Sequence, residues 1–95
     1  MNKYEIMFIV RADLEDKQVS EVATSFENVL KEYKSKVEVK EMGQKKLAYE
    51  IKKQKNGYYF LFTVEAPADA IKEFSRKAEI DENILRHMVV RLDEE

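Results

Sequence analysis

Along this chain the spacing of apolar side chains switches between two residues and about 3.6, and each switch marks an element. Residues 3–11, Lys-Tyr-Glu-Ile-Met-Phe-Ile-Val-Arg, put Tyr4, Ile6, Phe8 and Val10 on one face and Met7 and Ile9 on the other. A short segment apolar on both faces predicts a central strand covered from both sides. Val19, Val22, Ala23, Phe26, Val29, Leu30 and Tyr33 then recur at spacings of three and four. They predict an amphipathic helix of about four to five turns, with Asp13 or Asp16 as its N-cap. From Lys36 the period returns to two, through Val37 and Val39 and, beyond Gly43, through Leu47, Tyr49 and Ile51. Gly43 reads as a bulge or bend in one long strand. Lys53 to Gly57 are expected to form the turn, with Asn56-Gly57 as its hairpin signal. Tyr58, Phe60, Phe62 and Val64 alternate with Tyr59, Leu61 and Thr63 in the next strand. Pro67 opens a second helix, where its missing N–H costs nothing, and Ile71, Phe74, Ser75 and Ala78 mark the buried face. Asp81-Glu82-Asn83 is a loop, Ile84 to Leu92 a last strand, and Asp93-Glu94-Glu95 a short acidic end.

The order β-α-β-β-α-β predicts one α+β domain over residues 1–95 with the ferredoxin-like arrangement, two helices packed on one face of a four-stranded antiparallel sheet. Right-handed crossovers put the first and third strands in the centre. The helices should cover Tyr4, Ile6, Phe8, Phe60, Phe62 and Val64. The other face would then carry Met7, Ile9, Tyr59, Leu61, Met88 and Val90, an apolar patch of a few hundred Å². Such a face invites a partner protein, an RNA or a second copy of the chain. The competing reading is that the stems of Arg11, Glu65, Arg86 and Arg91 fold over it.

Charge changes this picture more than composition does. The net charge is −2, yet residues 34–55 carry eight Lys and three Glu, a net of +5. The flanking segments 1–33 and 56–95 carry −3 and −4. A basic stretch on an acidic protein is either a phosphate footprint or a solvated hairpin whose lysines guard an edge strand. Lys45 and Lys46 follow Gly43, and Lys52, Lys53 and Lys55 lie at the other end of the same strand, with Tyr49, Tyr58 and Tyr59 interleaved. Lysine supplies phosphate contacts and tyrosine can stack on bases.

Catalytic chemistry finds little footing. The chain has no Cys, which removes disulfides, thiolate metal sites and cysteine nucleophiles. Its one histidine, His87, sits in a strand among apolar neighbours and reads as a packed residue rather than a base. No second His or Cys accompanies it as a metal ligand. The two glycines are isolated, so there is no phosphate-binding loop. No apolar run approaches the roughly 18 residues of a membrane span, and Glu5 interrupts any signal-peptide pattern. The expectation is a soluble cytoplasmic protein with no cofactor and no small-molecule substrate.

Gly43-Gln44-Lys45-Lys46-Leu47-Ala48-Tyr49-Glu50-Ile51 resembles the signature of the bacterial small-subunit ribosomal protein S6 family. The start Lys3-Tyr4-Glu5-Ile6, the run Gly57-Tyr58-Tyr59 and the segment Ile84-Leu85-Arg86-His87-Met88-Val89-Val90 match that family in the same order, so the resemblance spans essentially the whole chain. It implies a non-enzymatic ribosomal component that binds small-subunit ribosomal RNA together with ribosomal protein S18. Carried over by position, it implies Lys45 and Lys46 as RNA contacts, with Lys3, Arg86 and Arg91 as further candidates. The chain departs from the family pattern at Glu50, where many members have Pro, and at Met42, where many have Trp. Its basic pair is two lysines, which supply point charges rather than an arginine's bidentate fork. A different class of function, a ferredoxin-like regulatory or homo-oligomerisation module with no RNA role, fits the same fold.

Overall fold

Six elements form in the predicted order: β1 (Asn2–Arg11), α1 (Asp16–Lys31), β2 (Lys36–Ile51), β3 (Gln54–Ala66), α2 (Ala68–Ile80) and β4 (Ile84–Arg91). The computed structural model describes residues 2–92, so the acidic end Asp93-Glu94-Glu95 lies outside the described residues. The strands make one antiparallel sheet in the order β2-β3-β1-β4, with β3 and β1 central as expected. Among the described residues no helix is long and apolar enough to cross a membrane.

Local chemistry starts and stops the helices. The N-cap of α1 is Glu15, not Asp13 or Asp16, and the Gln18 side chain accepts a hydrogen bond from the Glu15 backbone N–H at 3.2 Å. The two aspartates have other tasks. Asp13 accepts a two-pronged bond from Arg11 at 2.8 and 2.9 Å, and Asp16, in the first turn, accepts the Tyr58 hydroxyl at 3.0 Å. Pro67 caps α2, and its carbonyl accepts the Ala70 N–H at 3.1 Å.

The helices cover the predicted face, and Tyr4, Ile6, Phe8, Phe60, Phe62 and Val64 are all buried. Phe8 is the hub. Its ring stacks on Phe60 at 5.2 Å and meets Phe62, Phe74 and Phe26 at 4.9, 5.8 and 5.9 Å, so all five phenylalanines of the chain join in one cluster. Aromatic pairs of this geometry add to the free energy of area burial. His87 borders the cluster, 6.5 Å from the Phe74 ring.

The opposite face departs from expectation. The β2–β3 ladder runs from Lys36↔Glu65 to Glu41↔Phe60, slips beside Gly43 at φ +82, and resumes to Lys46↔Asn56. Residues 47–50 then leave the ladder, and Ile51 pairs with Gln54. The turn is therefore Lys52-Lys53, both at positive φ (48 and 65), and Asn56-Gly57 lies inside β3. Gly57 is needed for space rather than for a turn. A Cβ there would press on Ile9 Cγ2 and lie 3.4 Å from the Val10 carbonyl oxygen and 3.6 Å from Leu47 Cδ2.

The hairpin end thus doubles back over the sheet as a strap. Leu47 buries itself against Ile9 and Leu85, with Ile51 and Tyr59 at the margin. Leu85 is free to join because the β1–β4 pairing slips between Ile9 and Val10. Two polar contacts tie the strap to β4. Lys52 Nζ donates to the Ile84 carbonyl at 3.0 Å, and Arg86 Nη1 donates to the Tyr49 hydroxyl at 2.8 Å. Ile9, expected on an open face, is 5% exposed.

Candidate nucleic-acid and partner interface

Register fixes what the strap leaves uncovered. On the face away from the helices, Met7 lies between Leu61 and Met88, and Glu5 lies between Thr63 and Val90. Met7 and Leu61 are half-buried, while Met88 and Val90 are 43% and 46% exposed. The apolar strip is therefore Met7, Leu61, Met88 and Val90. Of the six residues expected there, Ile9 is sealed under the strap and Tyr59 is half-buried beside it. Lys40, Glu38 and Lys36 lie opposite Leu61, Thr63 and Glu65 on β2, so one border of the strip alternates in charge.

The candidate cations divide into two groups. Lys45 and Lys46 are exposed beside the strap, and Lys45 Nζ lies 5.7 Å from the centre of the Tyr59 ring, within cation–π range. Arg86 joins them through Tyr49. Lys3 does not. It pairs with Glu65 at 3.9 Å, eight residues along β1 from Arg11, the strand partner of Gly57, which itself faces Lys45. Eight residues of strand span roughly 26 Å. Arg91 pairs in register with Tyr4, which assigns it to the helix side of β4, and its Nη2 donates to Asn2 Oδ1 at 3.1 Å. The structure therefore gathers Lys45, Lys46 and Arg86 at one end of the molecule and places Lys3 and Arg91 at the other.

The strap also brings to this end two residues of the lysine- and tyrosine-rich stretch, Lys55 and Tyr49. Lys55 sits beside Lys46 and Tyr49 around a shallow depression, and Tyr49 is 61% exposed. The other two interleaved tyrosines are engaged: Tyr58 with Asp16, and Tyr59 with Lys45 and the small core. The Tyr58 phenol is pushed above its ordinary pKa, chiefly by donating to the Asp16 carboxylate. Among the described residues no cluster of His, Cys, Asp and Glu is arranged to hold a metal ion.

Comparison with known proteins agrees with this architecture. The family pattern described as Ribosomal protein S6 matches residues 3–91. The small ribosomal subunit protein bS6 of Halalkalibacterium halodurans is 45% identical over 96 aligned positions, covering 100% of both chains. The crystal structure of 30S ribosomal protein S6 from Thermotoga maritima superposes with a TM-score of 0.90 at 26% identity, over 96% of this chain and 87% of that one. A de novo designed protein, Foldit4, gives a TM-score of 0.55 at 13% identity over 98% and 97% of the two chains, which is a likeness of fold alone. With a match along nearly its whole length in both sequence and fold, the chain belongs to the ribosomal protein S6 family and is a structural protein rather than an enzyme.

Proposed function

We propose that this protein is a structural component of the small ribosomal subunit, where it binds small-subunit ribosomal RNA together with ribosomal protein S18. The observation that carries this reading is the strap. Most of the chain's positive excess lies on a hairpin that is fixed to β4 rather than left waving in solvent. Lys45 and Lys46 beside the strap, with Arg86 behind it, make a cationic end suited to RNA phosphates. The strip Met7, Leu61, Met88 and Val90 supplies a separate surface for protein. The remainder of the chain, at −3 and −4 over residues 1–33 and 56–95, suits a basic partner. Lys3 and Arg91, at the far end, would serve as separate contacts rather than as part of the hairpin patch. If RNA and S18 each favour the bound arrangement, each raises the affinity of the other.

Lys45→Glu with Lys46→Glu tests the RNA contact. Both side chains are exposed, so the double variant should keep its unfolding midpoint and lose RNA-dependent incorporation into small-subunit particles. Incorporation at the wild-type level would refute the phosphate role. A tight homodimer indifferent to RNA, seen by sedimentation, would favour an oligomerisation module instead.

A further inference from the structure

One aromatic ring among the hairpin lysines stays largely exposed. Tyr58 is hydrogen-bonded to Asp16, and Tyr59 lies half-buried under Lys45 and against the small core. Tyr49 belongs to the segment 47–50 that leaves the ladder. Its neighbours at the same parity, Leu47 and Ile51, both pack into the cluster around Ile9 and Leu85. Tyr49 instead remains 61% exposed, with its hydroxyl held by Arg86 at 2.8 Å. That bond restrains the ring at its oxygen while most of the side chain stays open to solvent. Restraint of this kind lowers the entropy lost when a ligand stacks. Beside the ring, Lys46 and Lys55 line a depression of about 210 Å³, with Glu50 as the one carboxylate on its wall among the described residues.

We propose that Tyr49 is the stacking platform for an unpaired base of RNA, with Lys46 and Lys55 taking the phosphates on either side. The inference rests on the RNA-binding reading above and adds to it a base contact and a preference for single-stranded RNA. Stacking on a tyrosine face is sequence-tolerant, because every base offers a π surface. The subsite thus reads an extruded nucleotide rather than a particular letter. Glu50 opposes the phosphates, so the site as built binds less tightly than its cations alone would allow.

The test uses the full chain and a transcript of small-subunit ribosomal RNA, with S18 present, in filter binding across a salt series. Tyr49→Ala should weaken binding about 5- to 150-fold, the worth of one base–aromatic stack, with an unchanged salt slope and unfolding midpoint. Tyr49→Phe keeps the ring and should stay within about threefold of wild type. Lys46→Gln and Lys55→Gln should each lower the salt slope by about 0.7 to 0.9, and Glu50→Gln should tighten binding. Wild-type affinity in Tyr49→Ala, with binding lost in Lys45→Glu/Lys46→Glu, would overturn this inference and leave the RNA reading standing. Weakened S18 binding by Tyr49→Ala in the absence of RNA would also overturn it, because the ring would then be a protein contact. No binding of the transcript by the wild-type chain would remove both.

Discussion

Gly57→Ala probes the point where β3, β1 and the strap converge. The backbone is not the obstacle, since Gly43 is the glycine at positive φ and Gly57 is not. The obstacle is the added methyl, which would press on Ile9 Cγ2 with the Val10 carbonyl oxygen and Leu47 Cδ2 close behind. Ile9 has little room to yield: it is β-branched, stiff at χ1, 5% exposed, and paired on both sides within the sheet. Two relaxations are open. If Ile9 and Leu47 shift in place, overpacking costs about 1–3 kcal/mol, offset by about 0.4–1 kcal/mol from the stiffer unfolded chain. If the strap lifts instead, Leu47 loses a burial worth about 1.5–3 kcal/mol. Either route predicts a net loss of about 1–2 kcal/mol. For a domain of this size that lowers Tm by roughly 4–16 °C.

Urea unfolding of a double-mutant cycle with Ile9→Ala isolates the cause. Ile9→Ala alone should cost about 2–5 kcal/mol, but it also clears the space that the alanine at position 57 needs. In that background Gly57→Ala should be close to neutral, giving a coupling of about 1–2 kcal/mol. Gly43→Ala is the contrasting control. At φ +82 with nothing within 4 Å, it should cost about 1–2 kcal/mol through conformation alone and show no coupling to Ile9. A Gly57→Ala protein as stable as wild type would refute the close-approach argument. So would an equal loss in the presence and absence of the Ile9 side chain.

Two further outcomes check other parts of the structure. The Asp13 carboxyl is held below its ordinary value of 3.8, chiefly by the hydrogen bond from the Arg11 guanidinium. A depressed folded-state pKa contributes stability that is present above the unfolded-state value and lost as pH falls through the folded one. Carboxyl NMR should therefore find Asp13 titrating low in the wild type and returning toward 3.8 in Arg11→Gln, and a normal wild-type titration would mean that the pair does not form in solution. Met88→Asp, at a side chain 43% exposed, should fold normally and lose affinity for S18, and unchanged affinity would remove the strip Met7, Leu61, Met88 and Val90 from the interface.

Which face each strand residue takes was legible in the sequence; which layer covers it was not. Alternation assigned Tyr4, Ile6, Phe8, Phe60, Phe62 and Val64 to the helix side, because a strand's period of two leaves no other choice once one face is buried. The same alternation put Ile9 and Tyr59 on the opposite side correctly, but period carries no information about a third layer. The one available hint was Leu47 and Ile51, apolar at alternate positions in a long strand whose sequence is otherwise rich in lysine. Asn56-Gly57 misled because a glycine required for close packing looks, from sequence, like a glycine required for a turn. Lys52 and Lys53 occupy the left-handed turn positions instead, at a steric cost that burial of Leu47 and Ile51 can offset.

The candidate site shows the same division. A count of charges located the basic segment, but not that Arg86, 37 residues from Tyr49 in sequence, closes onto it, nor that Lys3 and Arg91 stand at the opposite end. The placement has a consequence that charge counting cannot supply. If the strap holds Lys46, Tyr49 and Lys55 in position, its attachment and its RNA affinity are linked, and the apolar contact between Leu47 and Ile9 becomes part of the binding site without touching RNA. Gly57→Ala then reads out both properties at once. It removes no cation, so the salt slope of RNA binding should stay at its wild-type value. If it relaxes by lifting the strap, it should still lower affinity, and adding Ile9→Ala should not deepen that loss as independent sites would. Full RNA affinity in a protein whose strap has come loose would mean that the lysines act as unanchored charges, and that the clasp on β4 serves stability alone.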